Sequence, residues 1–492
     1  MKDSIIGRKA EKAHLARLLS SDKPEFLALY GRRRVGKSFL VNEFFEGSGV
    51  FFDLLGSSNA SRDTHISRFM SELRSKFRVP DLPEDDPADW DRALEFLKQA
   101  IDGHMVARPG EKITIFFDEL PWIDAGNSGF LGALDYFWNK HISKSRYGDV
   151  LLIVCGSAAS WIIEKVINSK GGLHNRVTAT IQLRPFSLAE TKEYLASNQV
   201  FLDNRQICDI YMAVGGIPAY LRHVQPGQSS TQTIDTMCFS SQAPLANEFG
   251  RLYASLFENH HNHVKLITAL AGARRGLERG ELLNRAGLSL GGDSTIYIRE
   301  LEESGFVEGR RNLDRKKKGK RYFLTDEYSA FYLKWIEPSE SAHANGGQNL
   351  WTQQRNSGAW NAWAGLAFES ICFKHVAQIK AALGISGVLT RESGWYYSPG
   401  KGSDEASGAQ VDMVIRRADH TTHLCEMKYR SNPILLTRRD KDELLERRHI
   451  YQEVTGSTDQ VFNTLITAFG AKENQHYLGV VDNQVTLDAL FA

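Results

Sequence analysis

The first third of the chain alternates short apolar runs with segments of helical spacing. Apolar runs at residues 26–30, in KITIFFDEL and in DVLLIVCGS have the length of buried strands. After the first run, a turn leads into a segment whose apolar residues Phe39, Leu40 and Phe44 follow a helical repeat. This pattern predicts an α/β domain, which we place at residues 1–230.

The apolar pattern changes near Glu258. Up to Pro338 it predicts three helices, in HVKLITALAGA, RGELLNRAGLS and GDSTIYIRELEE, followed by strands in GFVEG and RYFLT. Helices in this order are typical of a helix-turn-helix, and two strands joined by a basic loop form a wing. We therefore predict a winged helix-turn-helix domain over residues 231–340.

A polar, Gly- and Ser-rich stretch separates the third region. The segment WIEPSESAHANGGQNLW is typical of a linker, placed at residues 341–350. Residues 351–492 then contain a long apolar helix in which Trp363, Leu366, Phe368 and Ile371 are expected core positions. A strand-like SGWYYSP and the alternating segments QVDMVIR and THLCEMKY follow. The two alternating segments, joined by the polar ADHT, predict a β-hairpin within a C-terminal α/β domain.

Composition narrows the class of protein. A chain of 492 residues with 42% hydrophobic and 24% charged residues is typical of a soluble protein with several folded domains. The net charge of +1 excludes an overall basic field, so any nucleic-acid affinity depends on local clusters. The five cysteines lack zinc spacing, which favours a reducing, cytoplasmic setting. No signal peptide or membrane span is expected.

The turn after the first strand carries GRRRVGKS, from Gly31 to Ser38. Gly31 and Gly36 allow backbone N–H groups to surround phosphates, Lys37 reaches the terminal phosphates, and the Ser38 hydroxyl binds Mg²⁺. Because the motif lies between a strand and a helix, it predicts binding of ATP with Mg²⁺.

The second apolar run ends in two acids, Asp118 and Glu119. Asp118 would hold the magnesium shell, and Glu119 would orient and deprotonate the attacking water. Both acids together favour hydrolysis over binding alone. The alternative is a strand that ends in two solvated carboxylates.

Four segments together resemble the archaeal-type STAND/AAA+ ATPases of prokaryotes: IIGRKAEKAHLARLL, YGRRRVGKS, FFDEL and GGIPAYL. The resemblance implies a P-loop parallel sheet with a helical lid. It further implies that Ser157 is a sensor of the γ-phosphate or the attacking water, and that Gly216 and Pro218 are lid contacts to the nucleotide. Arg176 matches a phosphate-sensing position, but Asn175 replaces the glycine that often precedes it, so a solvated surface role stays open.

The local basic cluster lies in the predicted wing. Its residues are Arg310, Arg311, Arg315, Lys316, Lys317, Lys318, Lys320 and Arg321. Such a loop would contact phosphates without reading sequence, whereas Ser294, Thr295 and Arg299 on the third helix would face a groove. We expect double-stranded DNA as the partner. A protein-interaction module and a merely solvated loop are the alternatives.

The C-terminal hairpin places two acids opposite each other. If the turn is centred on Asp419, Asp412 and Glu426 each lie seven positions away, and their Cα atoms are about 4.5–5.5 Å apart. Facing like charges destabilise a hairpin unless a cation neutralises them. Lys428 shares the face of Glu426, while Val411, Met413 and Ile415 would pack behind the two acids. Oxygen ligands of this kind suit Mg²⁺ or Mn²⁺.

An acid on one strand followed by Glu-x-Lys on the next resembles the PD-(D/E)XK nucleases. The resemblance implies that Asp412 and Glu426 are metal ligands, that Lys428 is the catalytic lysine, that Gln410 is an accessory polar group, and that Glu369 is an additional acid. The customary proline before the first acid is absent, since Val411 occupies that position. A structural hairpin with a cross-strand lysine bridge stays the alternative.

Together these patterns predict an ATP-hydrolysing protein that couples nucleotide state to DNA binding and to metal-dependent cleavage of nucleic acid. The alternative is a nucleotide-switched DNA-binding regulator or scaffold whose nuclease-like domain no longer cuts. The sequence is compatible with a homo-oligomer but does not determine the oligomeric state.

Overall fold

The structure is a computed structural model that describes residues 5–77, 83–168, 173, 175–273, 275–311, 319–339, 350–355, 357–398 and 408–492. The chain forms two compact units. The first comprises residues 5–185 with the short segments 256–258 and 303–305, and the second comprises the other described residues. The range predicted as the ATPase domain, 1–230, contributes to both units.

A five-stranded sheet forms the centre of the first unit. Its strands are Glu25–Tyr30 (β1), Val50–Leu55 (β2), Ile113–Asp118 (β3), Val150–Gly156 (β4) and Ala179–Gln182 (β5). Their order is β2-β3-β4-β1-β5, and every neighbouring pair is parallel. The carboxyl ends of β1, β3 and β4 therefore meet at one edge, where connecting loops can hold a ligand. The predicted α/β fold with a parallel sheet is confirmed.

Helices flank this sheet. They are Lys9–Leu19 (α1), Lys37–Phe45 (α2), Arg62–Lys76 (α3), Trp90–Ala107 (α4), Leu120–Ile123 (α5), Phe130–Phe137 (α6) and Ala159–Ile162 (α7), with single turns at Ala125–Asn127, Trp138–Ile142, Ser145–Tyr147 and Ile163–Ile167. Helix α3 begins where the Ser61 hydroxyl accepts from the Thr64 N–H. Apolar residues of α3, α4 and α6, such as Phe69, Trp90 and Phe130, pack against the sheet in one core.

The second unit begins with five helices: Leu188–Ser197 (α8), Asn204–Val214 (α9), Pro218–Leu221 (α10), Ser230–Cys238 (α11) and Glu248–Ala254 (α12). Ser187 and Glu190 form a capping box at the start of α8, and Ser229 and Gln232 form another at the start of α11. These caps explain why the helices begin where they do.

Three helices and three short strands follow. They are His260–Ala271 (α13), Leu277–Glu278 (β6), Arg279–Arg285 (α14), Gly292–Glu303 (α15), Val307–Arg311 (β7) and Lys320–Leu324 (β8). The strands form an antiparallel sheet in the order β6-β8-β7. The elements occur in the predicted order, while a winged-helix assignment stays a prediction. Residues 312–318, with Arg315, Lys316, Lys317 and Lys318, lie outside the described residues.

The last part of the chain forms a mixed sheet with flanking helices. The helices are Glu327–Phe331 (α16), Leu350–Gln354 (α17), Gly358–Lys374 (α18), Val376–Ala382 (α19) and Arg438–Thr455 (α20), with turns at Tyr332–Ile336, Glu337–Ser339 and Leu487–Phe491. The strands are Thr390–Tyr397 (β9), Ala409–Arg417 (β10), Thr421–Lys428 (β11), Ile434–Leu435 (β12), Gln460–Thr467 (β13), Ala471–Lys472 (β14) and Asn483–Thr486 (β15). Of the predicted linker, residues 341–349 lie outside the described residues, and Leu350 begins α17.

The main C-terminal sheet has the order β15-β13-β11-β10-β9, and β12 pairs with β14 separately. Strands β9, β10 and β11 are antiparallel neighbours, whereas β11, β13 and β15 run parallel. The structure thus contains the predicted hairpin, formed by β10 and β11. In the described part of the chain, no helix is both long and apolar enough to cross a bilayer.

Candidate nucleotide site and C-terminal acidic site

The loop between β1 and α2 has the backbone that a phosphate-binding loop needs. Gly31 has φ 147°, and a Cβ there would lie 2.3 Å from the carbonyl oxygen of Leu183. Gly36, which precedes α2, has φ 92°. Only glycine adopts these conformations without strain, and the loop leads directly into a helix N-terminus, which favours an anion.

Lys37 lies inside this loop and is 5% exposed. Its Nζ donates to the carbonyl oxygens of Gly31 at 3.0 Å and Arg32 at 3.1 Å, and to Ser157 Oγ at 3.2 Å. Ser157 in turn donates from its hydroxyl and its backbone N–H to the carboxylate of Glu119. The structure thus brings together Lys37, Glu119 and Ser157, three predicted residues that are far apart in sequence.

Glu119 follows β3 in a left-handed backbone conformation, with φ 49° and ψ 49°. For a residue other than glycine this conformation costs of order 1–3 kcal/mol and is concentrated at functional sites. Asp118 is buried beside it, and burial raises the pKa of Asp118 above its usual value, while a hydrogen bond with Ser38 lowers it. Ser38 and Asp118 therefore supply two neighbouring oxygen donors, which fits Mg²⁺.

Arg8 supports the same loop and was not singled out by the sequence reasoning. Its guanidinium donates to the carbonyl oxygens of Arg184 at 2.6 Å and Val35 at 3.1 Å. It therefore joins the phosphate-binding loop to the segment after β5. The available signal was the Gly7-Arg8 pair directly before α1, where both residues have positive φ.

Arg176 and Pro218 were also predicted to contact the nucleotide. Arg176 is exposed before β5, and its charge acts on Asp135 of α6. Among the described residues, no contact joins Arg176 to Lys37. Pro218 is the first residue of α10 and belongs to the second unit. Their roles toward a nucleotide stay predictions.

The hairpin has the predicted register. Met413 pairs with Cys425 and Arg416 with Thr422, so the same register places Asp412 opposite Glu426. The predicted alternation of side chains between the two faces of β10 is interrupted, because its pairing with β9 shifts by one residue between Val411 and Val414. Val411 consequently packs in the same cluster as Val414 and Leu424 instead of behind the acids with Met413, and that part of the prediction is wrong.

Asp412 accepts a backbone hydrogen bond, and neighbouring charges affect its pKa. Its Oδ2 accepts from the N–H of Met427 at 2.9 Å. Burial, with the negative charge of Glu426, raises the pKa of Asp412 to about 7, although Arg447 and Lys428 act in the opposite direction. A carboxyl with this pKa is partly protonated near neutral pH, and a bound cation would favour its ionised form.

Glu426 has basic neighbours. It forms an ion pair with Arg447 of α20, and Lys428 Nζ lies 3.7 Å from its Oε1. Lys428 also lies 3.4 Å from Asp440 Oδ1. These side chains line a cavity of about 10 Å³. The sequence did not indicate a role for Arg447 at this site, because Arg447 lies 21 positions after Glu426 and reaches it only through packing.

Asp412 lines a different and larger cavity of about 530 Å³, together with Glu369 and Gln410. Among the described residues, no group of three or more His, Cys, Asp or Glu side chains is arranged to hold a metal ion. Asp412 and Glu426 remain as two acids that the strand register pairs, and Mg²⁺ often binds one or two carboxylates and keeps several waters.

The predicted DNA contacts differ in availability. Ser294 is 3% exposed because it faces the packed side of α15, so the groove contact predicted for it is wrong. Arg310 is also withdrawn from solvent: it pairs with Glu308 at 2.7 Å and stacks over Phe373. Thr295, Arg299 and Arg311 are exposed, and Lys320 is half-buried and pairs with Glu302 at 2.6 Å.

The raised pKa of Asp412 predicts a pH effect on stability. The native pKa of Asp412, about 7, exceeds the usual 3.8. The contribution of this carboxyl to the unfolding free energy is therefore fully present below pH 3.8 and is lost as pH rises through about 7. In EDTA, the unfolding free energy of the parent should fall relative to Asp412→Asn between pH 5 and pH 8. Urea unfolding at four pH values measures both free energies. A difference between the parent and Asp412→Asn that stays constant with pH would contradict the expectation.

The fold and the first site define a P-loop ATPase. Residues 6–224 match the family model of an ATPase domain found predominantly in Archaea. This match supports an archaeal-type ATPase domain in this part of the chain, with the ATP binding and hydrolysis that the sequence predicts.

Individual proteins with related sequences come from Methanocaldococcus jannaschii. An uncharacterized protein is 23% identical over 429 residues, which is 87% of this chain and 88% of that protein. An uncharacterized ATP-binding protein is 39% identical over 46 residues, which is 9% of this chain and 78% of that protein. The first similarity extends through both units.

Two solved structures are similar in part. A Walker-type ATPase of Pyrococcus abyssi has 17% identity and a TM-score of 0.47, covering 68% of this chain and 97% of that one. The ORC2 protein of Aeropyrum pernix, solved as ADPNP–ADP complexes, has 15% identity and a TM-score of 0.41, covering 69% of this chain and 94% of that one.

Proposed function

We propose that the nucleotide state of this ATPase controls nucleic-acid binding and a Mg²⁺-dependent cleavage of phosphodiester bonds at the C-terminal hairpin. The observation that carries the proposal is the register of β10 and β11, which sets Asp412 opposite Glu426 with Lys428 beside Glu426. Two acids can hold a metal ion that polarises a phosphodiester and activates a water, and a nearby lysine can offset the charge that develops.

At the hairpin, Asp412 and Glu426 would hold Mg²⁺ through carboxylate oxygens. When bound, Mg²⁺ polarises a phosphodiester and lowers the pKa of a water molecule. The ammonium of Lys428 would orient the attacking water and offset negative charge on the phosphate. Arg447 would leave Glu426 when the cation binds, because the two positive charges compete for one carboxylate.

At the phosphate-binding loop, Lys37 would exchange the carbonyl oxygens of Gly31 and Arg32 for the phosphates of ATP. Glu119 would accept the proton of the attacking water, and Ser157, which donates to Glu119, would fix the position of that carboxylate. Ser38 and Asp118 would hold Mg²⁺, which when bound neutralises phosphate charge.

A buried network connects the predicted lid to the hairpin within the second unit. Asp209 of α9 accepts from Arg355 at 2.6 Å and from Tyr429 at 2.8 Å. Tyr429 directly follows Lys428, and α9 ends just before the Gly215–Pro218 segment. A nucleotide-dependent shift of α9 would therefore reach the proposed cleavage site through a short, buried contact.

The second candidate is an ATP-switched nucleic-acid-binding scaffold that no longer cuts. The ion pair between Arg447 and Glu426 favours it, because this pair already neutralises one of the two acids. In that case the hairpin would be stable without a cation.

The test is cleavage of linear and circular DNA by the full chain in Mg²⁺, Mn²⁺ or EDTA, with and without ATP. The proposal predicts products only with a divalent cation and at a rate that changes with ATP. Binding of DNA without cleavage in any cation would establish the scaffold, and cleavage in EDTA would refute the metal site.

A further inference from the structure

A large cavity of the second unit lies between β7 and β8 on one side and α18, β9 and β10 on the other. Its volume of about 530 Å³ falls in the range of sites for small molecules, 300–1,000 Å³. A space of this size admits a nucleotide-sized group but not a duplex. It is large enough to need an explanation, since well-packed interiors hold few voids larger than a water molecule.

Three of the cations that line this cavity form no ion pair among the described residues. Arg275, Arg311 and Lys334 line it and are exposed, and none of them pairs with a carboxylate among the described residues. Arg275 is directed by a neutral contact instead, since its Nε donates to Gln410 Oε1 at 3.1 Å. Unpaired guanidinium and ammonium groups on a concave surface attract an anionic ligand.

Two acids of the lining are already engaged. Glu327 pairs with Lys374 at 2.5 Å, and Asp326 accepts from the N–H of Ser329 at the start of α16. Arg321 is likewise engaged, by Glu278 at 3.7 Å and Glu281 at 3.4 Å. The cations left for a ligand are therefore Arg275, Arg311 and Lys334.

The part of the lining that comes from α18 and β9 is apolar and aromatic. Trp363 and Leu366 of α18 are half-buried there instead of fully buried, although the apolar pattern predicted core positions for both. The guanidinium groups of Arg275 and Arg321 lie 6.0 and 5.3 Å from the ring centre of Tyr396 of β9. Planar side chains beside cations are the surfaces on which bases stack in single-stranded complexes.

We propose that this cavity, the wing cleft, binds one or two nucleotides of a single-stranded nucleic acid, with phosphates on Arg275, Arg311 and Lys334 and a base against Trp363 and Leu366. Asp412 lines the same cleft, so a strand held there passes one of the proposed metal ligands. The inference deepens the proposed function and rests on it for the identity of the ligand as nucleic acid.

The test is fluorescence anisotropy of a labelled ten-nucleotide DNA oligomer with the full chain in EDTA, over a range of salt concentrations. The triple variant Arg275→Ala, Arg311→Ala, Lys334→Ala should bind about 10-fold more weakly or worse at low salt. Its salt slope should be smaller by about 2, because each lost phosphate contact on a single strand removes about 0.7. The matched control is Lys9→Ala, Arg62→Ala, Arg92→Ala, which removes three exposed cations of the first unit and should bind like the parent.

A second variant tests whether the shape of the cleft matters when its charge is unchanged. Leu366→Trp fills the apolar wall and retains every cation, so it should weaken oligomer binding while thermal stability and ATP hydrolysis stay close to the parent values. Equal binding and equal salt slopes for the parent, the triple variant and Leu366→Trp would overturn the inference.

Competitors identify the ligand. A dinucleotide that binds as tightly as the oligomer would overturn the strand assignment in favour of a free-nucleotide site, and displacement by polyglutamate at equal charge would overturn the nucleic-acid assignment. Binding in the cleft without cleavage in Mg²⁺ would refute the proposed nuclease and support the cleft. Cleavage that is insensitive to both cleft variants would refute the cleft and leave the nuclease standing.

Discussion

Lys37→Ala is expected to lower the rate of ATP hydrolysis by about 100- to 1,000-fold, the usual effect of removing one group that stabilises transition-state charge. Lys37 is buried in the loop between β1 and α2, and its Nζ is within 3.2 Å of the carbonyl oxygens of Gly31 and Arg32 and of Ser157 Oγ. An alanine leaves this position without a positive charge. Steady-state release of phosphate measures the effect.

The matched control is Lys9→Ala, which removes an exposed lysine from α1 of the same unit and should change the rate less than about twofold. Circular dichroism and thermal melting show whether Lys37→Ala keeps its fold. A Lys37→Ala protein that is folded and hydrolyses ATP at the parent rate would contradict the assignment of the site. If the variant also cuts DNA at the parent rate with ATP present, the proposed coupling is refuted.

Asp412→Asn is expected to reduce Mg²⁺-dependent DNA cleavage by about 100-fold or more, because a metal site supplies several kcal/mol of charge stabilisation and each 1.4 kcal/mol is a factor of ten. The amide keeps the shape of the side chain and can still accept from the Met427 N–H, but it carries no charge for a cation. Quantified product from a labelled linear substrate measures the loss.

ATP hydrolysis by Asp412→Asn should stay at the parent rate, because the phosphate-binding loop belongs to the other unit. Asp442→Asn is the control, since Asp442 is exposed on α20 and pairs only weakly with Arg438 at 3.9 Å. It should cut like the parent. Cleavage unchanged in Asp412→Asn would remove the hairpin from the active site.

Local sequence was sufficient for the phosphate-binding loop, because its function depends on backbone conformation and on residues adjacent in the chain. Gly31, Gly36, Lys37 and Ser38 lie within eight positions, and two glycines with positive φ leave little freedom in how the loop folds. The hairpin register was equally local. A short turn joins two strands of alternating residues, so counting from Asp419 placed Asp412 opposite Glu426.

Positions decided by packing were not predictable in the same way. Strand β10 has one extra residue relative to β9 between Val411 and Val414. Because of this bulge, Val411 packs in the cluster that contains Val414 and Leu424. Ser294 looked like a groove contact and is buried, whereas Leu366 looked like core and lines a cavity. Alternation and helical spacing show which side chains share a face, but they do not show what covers that face.

The sequence by itself determined the ATPase class, the glycine-rich loop between β1 and α2 and the cross-strand position of the two C-terminal acids, because each depends on residues close together in the chain. Only the tertiary structure decided that Arg447 reaches Glu426, that Asp209 joins α9 to Tyr429, and that β7, β8 and α18 enclose a cleft beside Asp412. These contacts join residues separated by 21 to more than 200 positions. Long-range packing brings such residues together, and no local repeat records it.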